Sequence, residues 1–494
     1  MSGLPSIVIV GGGLAGWIAA AALAGEFKHH AGRVSVVECG EDEPLDLSEE
    51  ALPATRLFLE RSGIDEDEFV RQTKATFKLG TEFTGWPAPE SAFFHPFSQF
   101  GTSIETLGFH QCWFKLRRHG AGAPLGEYSL TAVAASLGRF ARPVADTSSV
   151  FSSFSYGFHC DRALHREFLR RHALARGVRA IAHRLVDVAV RADGGGIDAL
   201  LLEGGERLSA DLYIDCSGGA GLLIEQALGT GYEDWSRFLP CDRAITWSSP
   251  KTDALMPFSR KTAHDAGWQW SVPMRHRTGN GLVCSSRFLD TSDMRRMLPE
   301  SLESEPRIYA FVNGRRRKMW SGNCVALGAA AGFLEPLEAT DTYLVQSGIS
   351  RLLKLLPAGS PCQASAEEYN RLAITEIEQI RDFLILHYCS SARRDSAFWN
   401  YCGQMELPGS LAARIELFKS RGRIAPCGGE AFSLPNWLAV FAGMDVLPRR
   451  YHPFADKIGI AELKERAGMI RAAIRQAANS MPDHGMFLAR MGAA

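Results

Sequence analysis

The sequence predicts an α/β fold, in which a Rossmann-type module with mixed sheets is followed by a mainly helical C-terminal module. An apolar run at residues 7–10 leads into closely spaced glycines and an alanine-rich segment, and a second apolar run follows at residues 34–37. This succession is typical of a strand, a tight turn, a helix and a second parallel strand. Helical periodicity dominates after Thr342. We therefore divide the chain into residues 1–350 and residues 351–494.

The remaining elements are predicted from local periodicity. Apolar patterns predict strands at residues 185–190, 197–202 and 211–218. Helical spacing predicts helices at residues 160–176, 344–356, 366–387, 411–420 and 460–478. Residues 81–124 contain prolines, glycines and many aromatic side chains, so we predict irregular, site-forming structure there.

The charge balance favours a small substrate. Fifty-four basic and fifty-five acidic side chains are spread along 494 residues without long blocks. Such a balance provides no electrostatic attraction to nucleic acid or to an anionic membrane. The one basic run, at residues 315–318, is interpreted as a solvated surface turn.

The cysteine and hydropathy patterns indicate a cytoplasmic protein without a metal centre. Eleven cysteines form no C-x-x-C pair and no Cys/His spacing suited to zinc, so we expect neither a metal nor a disulfide framework. No segment offers the roughly eighteen uninterrupted apolar residues that a membrane span needs. The oligomeric state is left open between a monomer and a homodimer.

Three glycines near the N-terminus match the spacing of a dinucleotide-binding turn. Gly11 permits the tight turn, Gly13 lets the backbone approach a pyrophosphate, and Gly16 lets helix and strand pack closely. The alternative is a packing turn in a Rossmann fold that binds no cofactor.

The residues around this turn complete the predicted site. The helix begins near Leu14 and Ala15, so that its free N–H groups and partial positive charge face the phosphates. Glu38 follows Gly16 by twenty-two residues and ends the second predicted strand. Its carboxylate is placed to accept hydrogen bonds from a ribose hydroxyl.

A second segment of small residues, at 323–332, favours FAD over NAD. A predicted strand there delivers small residues into a helix start at Gly328, which lets the backbone approach a second part of a long cofactor. The segment resembles the C-terminal flavin motif of FAD-dependent monooxygenase folds. Because we find no second complete glycine fingerprint for NAD(P)H, we expect a separate NAD(P)H-dependent reductase to supply the reduced flavin, FADH2.

Several further motifs share one family resemblance. Residues 267–273 read Gly-Trp-Gln-Trp-Ser-Val-Pro, and Lys78 stands in Phe-Lys-Leu-Gly. Residues 279–281 read Gly-Asn-Gly, and residues 332–338 read Gly-Phe-Leu-Glu-Pro-Leu-Glu. Together with the glycine turn and residues 211–218, these motifs resemble the flavin-dependent tryptophan halogenases over nearly the whole chain.

The resemblance implies an activity and its chemical residues. In that family, reduced FAD, oxygen and a halide ion, chloride or bromide, yield hypohalous acid, which passes through a tunnel to a small aromatic substrate. Here the substrate is expected to be an electron-rich ring of indole type. Lys78 is expected to hydrogen-bond the hypohalous acid or to form a haloamine with it. Glu338 is expected to offset positive charge on the attacked ring and to take its proton, with Glu335 as the rival carboxylate.

The resemblance also assigns a tunnel and a substrate contact. Trp268, Trp270 and Pro273 correspond to residues that wall the flavin side of the tunnel and keep organic substrate away from the flavin. The two indoles are predicted to share one face of a strand. His95 and Phe97 correspond to a pair that stacks on the substrate ring, although ordinary aromatic packing is an equally open interpretation.

At the predicted flavin site, the chain departs from the family pattern. The resemblance places Glu49 and Leu337 at the flavin, but a Gly-Val-Gly-Glu-Ala-Thr-type stretch is replaced, with Asp46 and Ser48 where the family has glycines. Side chains at these two positions are expected to weaken FAD binding if the backbone there needs a positive φ.

A second departure concerns the halide. The family continues after the catalytic glutamate with Ser-Thr and a small residue, whereas this chain has Ala339, Thr340 and Asp341. A carboxylate at Asp341 that points inward repels halide, because two like charges about 4 Å apart cost about 4 kcal/mol at an effective dielectric near 20. A carboxylate that points away leaves Thr340 and Asp341 as halide-site residues, and a preference for bromide is a milder consequence.

The sequence also leaves two alternatives to a halogenase open. One is a flavin monooxygenase that hydroxylates an aromatic substrate beside the flavin, and Trp268 and Trp270 argue against it. The other is a catalytically degenerate family member that binds FAD or an aromatic ligand without turnover. Residues 436–451 lack the tyrosine and glutamate cluster with which family members hold free tryptophan, so another indole or a larger aromatic is expected at least as readily.

Overall fold

The computed structural model describes residues 4–38, 49–192, 195–299, 302, 305–356, 362–425 and 431–492. Contacts between Cα atoms form two units, each made of three stretches of chain. Unit 1 comprises Met1–Ala75, Cys160–Ala244 and Ile308–Glu378, and unit 2 comprises Thr76–His159, Ile245–Arg307 and Gln379–Ala494. The predicted division at residue 350 rests on a different criterion, the change to helical periodicity, and stays a prediction.

A parallel sheet forms the centre of unit 1. Every residue of Ile7–Val10 and Val34–Val37 is buried, and the two strands pair in parallel. Leu212–Asp215 pairs in parallel with the other edge of Ile7–Val10. Cys324–Ala326 and Arg179–Ile181 extend the sheet in parallel at its two sides. Continuous apolar strands are typical of a parallel sheet, and the predicted Rossmann-type opening is confirmed.

The glycine turn depends on positions where no side chain fits. Gly11 has a φ of +122°, and a Cβ there would lie 2.2 Å from the carbonyl oxygen of Cys216. A Cβ on Gly16 would lie 2.0 Å from the carbonyl oxygen of Gly11. Helix Leu14–Phe27 therefore begins directly against the end of strand Ile7–Val10.

The rest of unit 1 follows the predicted order. The strands predicted at 185–190 and 197–202 are confirmed as Leu185–Val190 and Ile197–Leu202, which pair antiparallel. The further strands are Glu50–Ala51, Arg207–Leu208, Tyr232–Asp234, Gly314–Arg316, Trp320–Ser321 and Gly332–Phe333. The further helices are Ala54–Arg61, Glu66–Gln72, Arg162–Ala175 and Asp341–Leu355, with a π-helix at Leu222–Ala227 and 3₁₀ turns at Lys28–Arg33, Gly218–Ala220, Gly328–Ala330 and Pro336–Glu338. Arg243–Ser249, Arg307–Ala310 and Gln363–Cys389 run across the chain positions at which the units are divided.

The basic run at residues 315–318 corrects one sequence interpretation. Arg317 and Lys318 are exposed as predicted, but Arg315 and Arg316 are buried in strand Gly314–Arg316. Arg315 Nη2 lies 2.6 Å from Glu378 Oε1, and Arg316 Nη1 lies 3.0 Å from Glu225 Oε2. Carboxylates distant in the sequence therefore neutralise two of the four charges, which local charge patterning does not reveal.

A mixed sheet organises unit 2. Its strands lie in the order Arg307–Ala310, Arg243–Ser249, Thr278–Cys284, Gly267–Pro273, Ser259–His264, Gly80–Thr84 and Ala92–Pro96. Ser259–His264 and Gly80–Thr84 run parallel, while Gly267–Pro273 is antiparallel to both of its neighbours. A separate antiparallel pair joins Thr76–Lys78 to Gly157–His159.

The prediction of irregular structure at residues 81–124 is wrong. Two strands of the sheet and helix Phe109–Arg118 occupy much of this stretch. The Gly and Pro residues that interrupt the apolar pattern include Gly85 and Pro87, which lie in the turn between the strands. The turn residues between these elements interrupt the apolar pattern and so conceal the regular structure on either side.

Helices make up most of the remainder of unit 2. They are Leu130–Ser136, Thr291–Arg296, Ala397–Gln404, Gly409–Arg421, Leu434–Gly443, Ile460–Ser480 and His484–Arg490, with 3₁₀ turns at Leu125–Tyr128, Val150–Ser153 and Pro453–Lys457. The mainly helical C-terminal part is confirmed, although three of its shorter helices were not predicted. Within the described ranges, no helix combines the length and the apolarity of a membrane span.

The contact at Gly16 yields a stability prediction. We expect Gly16→Ala to lower the free energy of unfolding by about 1–3 kcal/mol, because the added methyl group displaces the Gly11 backbone. Gly468 is an exposed position in helix Ile460–Ser480 with no atom within 4 Å of a new Cβ. The control Gly468→Ala should raise the free energy of unfolding by about 0.5–1 kcal/mol. Urea unfolding measures both, and an unchanged Gly16→Ala variant contradicts the close approach.

Candidate active site

The two segments predicted to bind FAD meet in unit 1. Strands Ile7–Val10 and Cys324–Ala326 both pair with Leu212–Asp215, so their carboxyl ends lie at one edge of the sheet. Gly328 has a φ of +62°, and a Cβ there would lie 3.0 Å from the Cβ of Ala15. The segment after Cys324–Ala326 is a 3₁₀ turn rather than the expected start of an α-helix, because the left-handed Gly328 diverts the chain.

These residues fit a dinucleotide with a long flavin portion. The space that a Cβ would need at Gly11 and Gly16 is occupied by the carbonyl oxygens of Cys216 and Gly11, so helix Leu14–Phe27 starts at the sheet edge, where its free N–H groups suit phosphates. Glu38 Oε1 accepts a hydrogen bond from Arg170 Nε over 3.0 Å. A carboxylate has several acceptor positions, so Glu38 retains capacity for a ribose hydroxyl.

Asp215 stabilises the turn beside this edge. Its carboxylate is fully buried and accepts hydrogen bonds from the backbone N–H groups of Ser217, Leu223 and Ile224 over 3.0, 2.8 and 2.8 Å. The Ser217 hydroxyl donates a further bond over 2.5 Å. Four donors satisfy a carboxylate that apolar surroundings alone do not tolerate.

Of the other residues predicted to lie at the flavin, some belong to the described part of the chain and some do not. Asp46 and Ser48 lie outside the described residues. Glu49 lies within them, and its carbonyl oxygen accepts a bond from the Cys160 N–H over 2.8 Å. Leu337 is fully buried.

The predicted catalytic carboxylate lies in a short, buried turn. Glu338 is 1% exposed and ends the 3₁₀ turn Pro336–Glu338. Ala339 follows with a φ of +55°, which a side chain rarely adopts and which redirects the chain into helix Asp341–Leu355. Glu335 is also buried, and its backbone N–H donates to Asn313 Oδ1 over 2.7 Å. Burial therefore does not distinguish the two glutamates.

Asp341 has a positively charged partner that sequence patterns did not indicate. Arg162 Nη1 donates to Asp341 Oδ2 over 2.7 Å, and the two side chains are 16% and 24% exposed. Arg162 begins helix Arg162–Ala175, whereas Asp341 begins a helix 179 residues later. Arg162 also helps to lower the pKa of His165 to about 3, an effect that is due first to burial. No motif marks a pair so distant in the chain.

A second ionic cluster fixes the helix that begins at Asp341. Glu376 accepts hydrogen bonds from the Tyr343 hydroxyl, the Ser347 hydroxyl and Arg351 Nη2 over 2.9, 2.6 and 2.7 Å. Burial and the adjacent Glu376 carboxylate raise the pKa of Tyr343, so its hydroxyl stays a proton donor. The first turns of helix Asp341–Leu355 are thereby held in place.

Lys78 lies in the interior of unit 2. It is 1% exposed and ends strand Thr76–Lys78. Its Nζ lies 5.2 Å from the centroid of the Phe97 ring, a cation–π distance. Two residues that were predicted for different roles, the oxidant and the substrate ring, therefore lie together.

His95 lies beside the same ring. It is fully buried, and the His95 and Phe97 ring centroids are 6.5 Å apart. Asn436 Nδ2 lies 2.9 Å from His95 Nε2, so the amide supports the imidazole by a hydrogen bond. Asn436 belongs to no motif and is 341 residues from His95, so no local sequence pattern indicates this contact.

The two tryptophans that were predicted to line a tunnel share a buried face, as expected from their spacing. Trp268 and Trp270 are 0% and 3% exposed on strand Gly267–Pro273, and their ring centroids are 5.8 Å apart. Gly281 on the neighbouring strand makes room, since a Cβ there would lie 2.0 Å from the Trp270 indole. Lys261 Nζ lies 5.5 and 6.0 Å from the two indole centroids, which adds an unpredicted cation to this face.

A family model now decides the relationship of this chain to known proteins. The model, described as tryptophan halogenase, matches residues 6–459. The chain belongs to the tryptophan halogenase family. Within it, the protein is similar to BrvH, a flavin-dependent halogenase from Brevundimonas sp. BAL3, with 40% identity, a TM-score of 0.94, and coverage of 99% of this chain and 100% of that one.

Other family members support the same assignment. Xcc4156, a flavin-dependent halogenase from Xanthomonas campestris, is 40% identical, with a TM-score of 0.93 and coverage of 98% of both chains. Tryptophan 6-halogenase SttH from Streptomyces toxytricini is 29% identical over 98% of both chains. The predicted α/β fold and the predicted enzyme class, a flavin-dependent halogenase that uses FAD and acts on an aromatic substrate, are confirmed. The match concerns the whole chain, so the roles of individual site residues stay predictions.

The Arg162 and Asp341 pair of this halogenase yields a test of coupling. We expect Arg162→Gln to lower the free energy of unfolding by about 1–2 kcal/mol, because it leaves a partly buried carboxylate without its cation. The double variant Arg162→Gln/Asp341→Asn should lose less than the sum of the two single variants, with a coupling of about 1 kcal/mol.

Urea unfolding of the four proteins measures this coupling. The Arg449 and Glu416 pair, with both side chains 64% exposed, provides the control and should show almost no coupling. Additive losses at Arg162 and Asp341 contradict a stabilising ion pair.

Proposed function

We propose that this family member halogenates an electron-rich aromatic substrate of indole type, using FADH2, oxygen, and chloride or bromide. The family match and one observation support the proposal: the buried Lys78 lies against Phe97, an aromatic side chain predicted to contact the substrate ring. We also propose that the protein acts in the cytoplasm and that a separate NAD(P)H-dependent flavin reductase supplies the reduced cofactor.

The residues that hold the cofactor are those at the edge of the parallel sheet. Gly11 permits the tight turn, Gly16 lets helix and strand pack closely, Gly13 leaves backbone for the pyrophosphate, and Glu38 accepts from the ribose. The Gly328 segment, Leu337 and Glu49 face the flavin portion in this proposal. Bound reduced FAD, together with oxygen and halide, supplies hypohalous acid. Positioning of the oxidant and removal of the ring proton are assigned to side chains of the protein.

The halide is proposed to bind near Thr340 and the start of helix Asp341–Leu355. Thr340 is 1% exposed, and the first turn of a helix offers free backbone N–H groups to an anion. Arg162 engages the Asp341 carboxylate over 2.7 Å, so the negative charge introduced by this departure from the family is neutralised by a cation. The pair thereby removes the main electrostatic objection to halide binding.

Lys78 is proposed to hold the oxidant close to one ring carbon. Its place on a paired strand restricts the ammonium group, and the Phe97 face directs it toward an aromatic neighbour. A hydrogen bond from Lys78 to hypohalous acid concentrates an electrophile that otherwise reacts wherever it diffuses. A haloamine achieves the same positioning, and it forms when the Lys78 nitrogen takes the halogen from hypohalous acid and water is released.

Glu338 is proposed to act on the substrate ring. When a halogen adds to an aromatic ring, the ring becomes positively charged until the proton at the same carbon leaves. A buried carboxylate stabilises that charge and accepts the proton, which restores aromaticity. Trp268 and Trp270, whose rings fill a buried face of their sheet, are proposed to exclude the organic substrate from the flavin side of the tunnel.

The substrate is proposed to be an indole other than free tryptophan. SttH is named as a tryptophan 6-halogenase. In this chain, residues 436–451 lack the tyrosine and glutamate cluster that the family uses for the amino-acid group. We therefore expect the protein to recognise the aromatic ring of its substrate and not an amino-acid group.

Replacement of Lys78 tests the proposal directly. Purified protein is incubated with FAD, a flavin reductase, NADH and bromide or chloride, and products from indoles and phenols are identified by mass spectrometry. We expect Lys78→Met to lower halogenated product at least about 100-fold, because the oxidant is no longer held near the ring. FAD affinity, measured by fluorescence quenching, should stay within about threefold of the parent value.

Lys74→Met is the matched control, because Lys74 is exposed and lies four residues earlier in the chain. It should retain product formation. Product retained in Lys78→Met excludes Lys78 from the chemistry, and hydroxylated product from the parent protein contradicts halogenation in favour of oxygen insertion.

Replacement of Glu338 separates the ring reaction from flavin oxidation. We expect Glu338→Gln to lower the halogenation kcat by about 100-fold, since the amide no longer accepts the ring proton. Oxidation of FADH2, followed by absorbance in stopped flow, should change by less than about twofold. A larger kcat loss in Glu335→Gln than in Glu338→Gln transfers the role to the rival carboxylate.

A further inference from the structure

A cavity in unit 2 is continuous with the predicted ring contact at Phe97. It has a volume of about 340 Å³ and is lined in part by Phe97, Ser98, Ser152, Ser153, Ser433 and Asn436. None of the described residues that line it carries a formal charge. Lys78 lies over the Phe97 ring but is not among the lining residues.

The hydrogen bonds that Ser152 and Ser153 already make determine whether their hydroxyl groups can donate to a ligand or only accept from it. The Ser152 hydroxyl donates to the Ser149 carbonyl oxygen, and the Ser153 hydroxyl donates to the Val150 carbonyl oxygen, both over 2.8 Å. A hydroxyl has one proton and two lone pairs, so each of these serines retains only acceptor capacity. Both belong to the 3₁₀ turn Val150–Ser153, which fixes their positions.

Ser433 and Asn436, which also line the cavity, already form hydrogen bonds. The Ser433 hydroxyl donates to Asn436 Oδ1 over 3.3 Å, and the same oxygen accepts from the Ser433 N–H over 2.8 Å. Asn436 Nδ2 uses one of its protons toward His95 Nε2. Ser98 Oγ and Ser129 Oγ share one hydrogen bond over 2.9 Å in which either can be the donor. One Asn436 proton and the exposed Gln99 amide remain as donors, against the lone pairs of Ser152, Ser153 and Ser433.

We infer that this cavity binds the substituent of the aromatic substrate and selects an uncharged group that bears N–H donors, such as a carboxamide, over a carboxylate. The inference rests on the proposed function and narrows its substrate class. An amide N–H matches the lone pairs of Ser152 and Ser153. A carboxylate brings negative charge against those lone pairs, and the described lining offers no cation to offset the water that the carboxylate loses there.

The test compares two ligands of nearly equal size. The full-length protein, loaded with FAD and supplied with reductase, NADH and bromide, is offered indole-3-acetamide and indole-3-acetate, with indole as the reference substrate. We expect kcat/KM for the acetamide to exceed that for the acetate at least tenfold. Equal values, or a preference for the acetate, overturn the inference.

Removal of the acceptors gives a second criterion. In Ser152→Ala/Ser153→Ala, the ratio of kcat/KM for the acetamide to that for indole should fall at least threefold. Ser148→Ala is the matched control, because Ser148 is an exposed residue of the same loop whose hydroxyl donates to Asp146. An unchanged ratio in the double variant overturns the assignment of Ser152 and Ser153 as acceptors for the N–H groups of the ligand.

Direct binding separates this inference from the proposed activity. Isothermal titration of the FAD-loaded protein with each ligand requires no turnover, and we expect the acetamide to bind at least tenfold more tightly than the acetate. Tighter binding of the acetamide without brominated product supports the cavity assignment and contradicts the proposed reaction. Bromination of indole with equal binding of the two ligands supports the reaction and contradicts the cavity assignment.

Discussion

The close approach of Gly16 to the carbonyl oxygen of Gly11 is the contact on which unit 1 depends. Space for a Cβ is missing by more than an ångström at both glycines, so helix Leu14–Phe27 starts directly at the end of its strand. The same closeness brings Ala15 against Gly328, from a segment more than three hundred residues later. The sheet edge predicted to bind the flavin is therefore shaped by backbone packing that only glycine permits at these positions.

Within unit 1, three buried or partly buried carboxylates each have their own hydrogen-bonding or charged partners. Asp215 takes backbone amides and a hydroxyl, Glu376 takes Arg351 with two further hydroxyls, and Asp341 takes Arg162. Charges removed from water need such partners, because desolvation otherwise exceeds any local gain. The departure from the family at Asp341 is thus accompanied by a cation, and the helix that carries it is anchored by the Glu376 cluster.

Unit 2 positions its predicted chemical residues on strands. Lys78 lies on one antiparallel pair, while His95 and the two tryptophans lie on the larger sheet, where Gly281 leaves room for Trp270. Strands hold side chains more precisely than loops, which suits the proposed role of these residues in directing a small electrophile. The adjoining cavity differs in character, because Ser152, Ser153 and Ser433 have already donated their hydroxyl protons to nearby carbonyl oxygens and to Asn436.

The sequence by itself determined the βαβ opening, the paired indoles at Trp268 and Trp270, and the family, because each is encoded by spacing within a few residues. The long helices followed from periodicity for the same reason, whereas turn residues within residues 81–124 concealed two strands and a helix. Only the tertiary structure decided that Arg162 neutralises Asp341 and that Asn436 supports His95. These partners are 179 and 341 residues apart. Their pairing depends on how distant elements pack, and no local pattern records that.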